Sequence, residues 1–220
     1  YGNGILSYAE PSVTPRPFAE ALGMLAITTS LKRNRWLSGF LVLATGLLHP
    51  LTGIGVAALC AWLSVTLLRQ FVAIAVIGGV LALALAVFAG PPFDGLLQRV
   101  DPDWLQLMHD QSALVFVSTW VLNGLAVVML PLTALSVILW YGPAYHARLA
   151  RAVLLVAGTL LAISALGADL LANRLITMLQ LWRAMIWPVL LGNLLTVSAV
   201  MVLPKPSLAR GLLILTLILN

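Results

Sequence analysis

Residues 71–90, FVAIAVIGGVLALALAVFAG, hold no side chain more polar than alanine or glycine. That length matches the roughly 20 residues a helix needs to cross the hydrocarbon core of a bilayer. Backbone in lipid must also satisfy its own hydrogen bonds, which a helix does. Working outward from this run, similar stretches recur along the chain, bounded by charge, proline or glycine. Of the 220 residues 61% are hydrophobic and 9% charged, with a mean hydropathy of +1.05. An ordinary soluble domain carries about 25% charge. The composition therefore points away from a soluble protein and toward an all-α polytopic membrane bundle.

Hydropathy predicts about seven spans, at 17–31, 36–48, 51–68, 71–90, 113–141, 152–168 and 185–203, and a truncated eighth from residue 211. The first two are short for a bilayer. The chain opens on Tyr1 and closes inside a new apolar run, so residues 1–220 read as one transmembrane domain cut from a larger protein. Within 71–90, Gly78, Ala82, Ala86 and Gly90 recur every four residues, a small-residue stripe suited to close helix packing.

Alternating the connections, with residue 1 outside, places Lys32, Arg33, Arg35, Arg69, Arg148, Arg151, Lys205 and Arg210 in the cytoplasm. The other side receives all seven acids and only Arg16, Arg99, Arg174 and Arg183. That bias follows the positive-inside rule and predicts a multi-pass protein of a bacterial inner membrane. The net charge of +5 is scattered singly between apolar runs, so it excludes a nucleic-acid partner. Cys60 is the single cysteine, which excludes an internal disulfide. No phosphate-binding GxxxxGK[ST] loop, dinucleotide GxGxxG turn or HExxH zinc pair is present.

The polar residues gather outside. Residues 1–16 form an outer loop, and Glu10 in it could act as a general base or pair with Arg16. Glu20 falls in the first turn of the helix expected from Pro17, where the helix dipole favours a carboxylate. The turn His49-Pro50 joins two spans with almost no loop, which holds an ionisable ring near membrane depth, for phosphate binding, for acid–base work or for capping.

Residues 91–112 form the longest outer loop, with a short interfacial helix starting near Asp101-Pro102-Asp103-Trp104. Two aspartates around a proline make a Mg²⁺ or Mn²⁺ site only with phosphates or further ligands, so a divalent metal stays open and no cofactor is assigned. Residues 169–184 read as one amphipathic outer-face helix, with Asp169, Asn173, Thr177, Gln180 and Arg183 on one face. That face either rests on headgroups or lines a cavity where Arg183 grips a phosphate or carboxylate.

The loop Glu10-Pro11-x-x-Thr14-Pro15-Arg16-Pro17-Phe18-Ala19-Glu20, the turn Leu48-His49-Pro50-Leu51 and the later Gln180-Leu181-Trp182-Arg183 resemble bacterial GT-C-type glycosyltransferases of the envelope. The resemblance covers most of the chain in organisation. It implies sugar transfer from a polyprenyl-phosphate carrier at the outer face, among membrane lipids. The family's acidic residue lies in the first outside loop, which would precede Tyr1. The likeness therefore implies that Glu10, or an acid outside this stretch, deprotonates the acceptor. Arg16, His49 and Arg183 would neutralise the carrier phosphate, with Asp169 and Gln180 lining the substrate surface. The rival readings are a transporter or flippase-like subunit for a lipid-linked or anionic solute, and a noncatalytic envelope scaffold.

Overall fold

A computed structural model describes residues 15–64, 68–91, 93–120, 122–204 and 207–219. Among the described residues the fold is helical apart from one isolated antiparallel bridge, Arg99 with Asn173. The chain divides into two units, each with its own internal packing.

The first unit comprises Tyr1–Ser64, Val121–Gly158 and Arg183–Asn220. It opens with α1 (Pro15–Leu31), α2 (Arg35–Leu48) and α3 (Pro50–Ser64), which pack mutually. The Ser38 hydroxyl donates to Ala26 O at 3.0 Å and contacts Cys60 Sγ at 3.7 Å, which sets an antiparallel register on both sides of α2. Asn34 caps α2 by accepting the Leu37 N–H at 3.2 Å. At its far end, a Cβ on Gly53 would overlap the Gly46 backbone, so the α2–α3 corner closes only with glycine there.

Three later helices, α6 (Leu122–Tyr141), α9 (Ile186–Val202) and α10 (Leu208–Leu219), pack on one another in the same unit. Trp187 of α9 joins the two groups. Its side chain is fully buried, and a Cβ at Gly23 or Gly55 would stand 2.7 Å from its ring. Two glycines thus hollow the slot that the indole fills, a fit in which added volume has nowhere to go.

The second unit comprises Val65–Trp120 and Thr159–Trp182. It contains α4 (Leu68–Phe88), α5 (Pro102–Gln111) and α8 (Arg174–Leu179), with short 3₁₀ turns at Phe93–Leu97, Ala113–Val115 and Val117–Thr119. The long helix α7 (Ala144–Ser164) continues into a π-helical turn, Ala165–Leu170.

Seven spans and a partial eighth do not survive. Among the described residues three helical stretches are long and apolar enough to cross a membrane: Gly124–Tyr141, Ala144–Leu170 and Leu181–Val202. The runs expected at 36–48 and 51–68 form helices of 14 and 15 residues. At a rise of 1.5 Å each they reach about 21–22 Å, short of a core of roughly 30 Å. Leu208–Leu219 is a shorter apolar helix too, and residues 113–119 of the expected fifth span are 3₁₀ turns. Hydropathy registers apolar content, and a short helix packed on neighbours scores like a lipid-crossing one. The loop sides deduced from seven alternations fall with that count.

Large apolar side chains remain outward even so. Phe88 is 86% exposed, Met201 79% and Phe40 66%, a surface that suits lipid and not water. The chain is a helical, membrane-associated protein with a few candidate spans.

Candidate functional site

Most of the residues singled out above fall into two places. Arg16, His49 and Arg183 belong to the first unit, Asp169 and Gln180 to the second, and Glu10 lies outside the described residues.

In the first unit, the register set by Ser38 on Ala26 carries Arg16 level with Leu48, at the His49 end of the α1–α2 hairpin. The backbone beside Arg183 packs on the first half of α3, where the Ala184 carbonyl lies 3.5 Å from a Cβ built on Gly55. The structure therefore brings Arg16 and His49 to one end of the α1–α3 group, with the Arg183 turn beside the half of α3 that begins there.

Arg16 and His49 have local partners there. Arg16 Nε pairs with Glu20 Oε1 at 2.9 Å, one helical turn on, because α1 begins at Pro15 and leaves Glu20 beyond its first turn. His49 ends α2 and precedes α3. Its Nδ1 stands 2.9 Å from Thr52 Oγ1 and accepts the Thr52 N–H at 3.3 Å. A backbone N–H can only donate, so Nδ1 is the acceptor and the ring proton of the neutral form sits on Nε2. Arg183 is exposed, in the 3₁₀ turn Leu181–Met185.

In the second unit the stretch expected as one amphipathic helix over 169–184 is broken. The π-turn ends at Leu170, Ala172 takes φ +47, α8 lasts six residues and Gln180 ends it at φ +50. Left-handed geometry at two non-glycine residues stops a helix from running through. The polar side chains thus serve different partners. Asp169 Oδ2 accepts the Val117 N–H at 3.1 Å, and its Oδ1 accepts the Ser118 N–H at 2.9 Å together with the Ser118 hydroxyl. Asn173 caps α8 through Ile176 N–H at 3.1 Å while its Nδ2 donates to Leu96 O at 2.7 Å. Thr177 is buried and donates to Asn173 O at 2.7 Å.

Asn173 also anchors the pairing of 98–100 with 172–174. Val100 N–H donates to Ala172 O at 2.8 Å and Arg174 N–H to Gln98 O at 2.9 Å. Beside that pairing is a recess of about 310 Å³ lined by Arg99, Val100, Asp101, Trp104, Arg174 and Met178. Neither Arg99 nor Arg174 was singled out from the sequence. Nothing in spacing alone joins residues 99 and 174, and the signal that does is the backbone bridge.

Asp101 caps α5 by accepting the Asp103 N–H at 3.0 Å, and Asp103 lies in that helix's first turn. Among the described residues no three His, Cys, Asp or Glu side chains converge as a metal site. No family model, curated protein or solved structure matches the chain.

Proposed function

We propose that this chain is an integral membrane protein that transfers a sugar from a polyprenyl-phosphate carrier at the outer face of a bacterial inner membrane. The observation that carries the reading is the placing of Arg16 and His49 at one end of the α1–α3 group, with the Arg183 turn beside the half of α3 that begins there. Two guanidiniums and an imidazole suit a leaving phosphate, whose charge grows as the glycosidic bond breaks. Glu10, or an acid outside this stretch, deprotonates the acceptor hydroxyl. Asp169 and Gln180 support the second unit's outer surface.

Three spans suffice to orient this end. The connection after Tyr141 and the segment after Val202 share one side, with Arg148, Arg151, Lys205 and Arg210 close by and no acid. Arg183 stands at the opposite end of its span. The positive-inside rule makes the first side cytoplasmic and the Arg183 side external.

The test is sugar transfer from a polyprenyl-phosphate-linked donor by the full chain in nanodiscs. Arg183→Ala and His49→Ala should each lower turnover by about a hundredfold, the scale of losing one charge-stabilising donor. Transfer left intact by Arg183→Ala removes the assignment.

A further inference from the structure

The recess beside α5 and α8 combines two guanidiniums, one carboxylate and an indole. Its charge is net positive, and the one acid, Asp101, already accepts the N–H of Asp103. Arg174 is held in place: its Nη1 donates to Gln98 Oε1 at 2.5 Å, and Gln98 Nε2 donates to Asp94 Oδ2 at 3.1 Å. The exposed Arg99 side chain has no hydrogen-bond or ion-pair partner among the described residues. Beneath both, the paired backbone of 98–100 and 172–174 keeps them on one recess.

The rim is apolar and open, with Trp104 60% and Met178 58% exposed. Arg174 follows the end of the candidate span Ala144–Leu170 by four residues, at most about 14 Å of chain. That places it near headgroup level, where an exposed indole is also at home. A guanidinium offers paired N–H donors that match two phosphoryl oxygens.

We infer that this recess binds a phosphoryl anion at the membrane surface, with Arg99 and Arg174 as donors and Trp104 beside it. The inference shares no residue with the sugar-transfer reading and does not rest on it.

The full chain in nanodiscs tests it. Native mass spectrometry counts phosphatidylglycerol retained from mixed phosphatidylcholine discs, and calorimetry titrates inorganic phosphate into discs of phosphatidylcholine alone. Arg99→Gln breaks no bond among the described residues, so it should fold and lower binding about tenfold, the scale of one charge-assisted hydrogen bond. Arg99→Lys should retain most of it, and R99Q/R174Q should abolish it. Arginine-dependent retention of the lipid alone identifies a headgroup. Arginine-dependent binding of inorganic phosphate identifies the free anion, and both support the site. Equal binding by wild type and R99Q/R174Q, or neither ligand bound by wild type, overturns it. If Arg99→Gln loses the lipid while no sugar is transferred by wild type, the recess stands and the reaction falls.

Discussion

Asp169 and Ser118 lie 51 positions apart, yet one carboxylate oxygen of Asp169 accepts both the N–H and the hydroxyl of Ser118. The other oxygen takes the N–H of Val117 at 3.1 Å. A single acid thus satisfies the start of the 3₁₀ turn Val117–Thr119 from the end of a candidate span.

Replacing that acid should loosen the second unit in graded fashion. Asp169→Ala leaves two backbone donors and a hydroxyl without their acceptor and should cost about 2–3 kcal/mol, while Asp169→Asn keeps one acceptor oxygen and should cost about 1 kcal/mol. Thermal melting in detergent micelles should rank wild type above Asn above Ala. An Ala variant melting with the wild type would contradict the role.

The Trp187 slot makes a second expectation. A Cβ at Gly23 would meet the indole at 2.7 Å, so Gly23→Ala should destabilise by about 1–3 kcal/mol through overpacking. Trp187→Leu alone should also destabilise, by leaving a cavity. Combined, the two should cost less than their sum, since the smaller side chain makes room for the methyl group. Strict additivity in melting experiments would show that the contact is not shared.

Arg148 on α7 donates from Nη2 to the Leu63 carbonyl of α3 at 2.7 Å. Arg148→Gln should therefore lower stability by about 1 kcal/mol. Arg151→Gln, on an exposed position one turn along, should leave the melting temperature unchanged. Equal effects of the two variants would reduce Arg148 to a topology charge.

Orientation is accessible to labelling. In a Cys60→Ala background, a membrane-impermeant maleimide applied to intact cells should modify Gln106→Cys, in α5 before the first candidate span. Ala144→Cys, at the start of α7, should react only after permeabilisation. Both positions are exposed, so burial does not mask the result. The opposite pattern would turn the protein over and put Arg183 inside.

The helical class and the membrane setting were legible in the residues, because both follow from content: long apolar runs with 9% charge have few other solutions. The number of spans was not legible. Helices of 14 and 15 residues carry the same hydropathy as spanning ones, and only their length and packing in three dimensions separate the two. Periodicity over 169–184 was real in the sequence, yet Ala172 and Gln180 in the left-handed region broke the helix, and Asp169, Asn173 and Thr177 went to separate partners. His49 was visible as an ionisable residue at a tight turn, whereas its hydrogen bonding to Thr52 required the corner between α2 and α3. The company of Arg99 and Arg174 was decided wholly by tertiary structure, since a backbone bridge between distant segments leaves no local pattern in either of them.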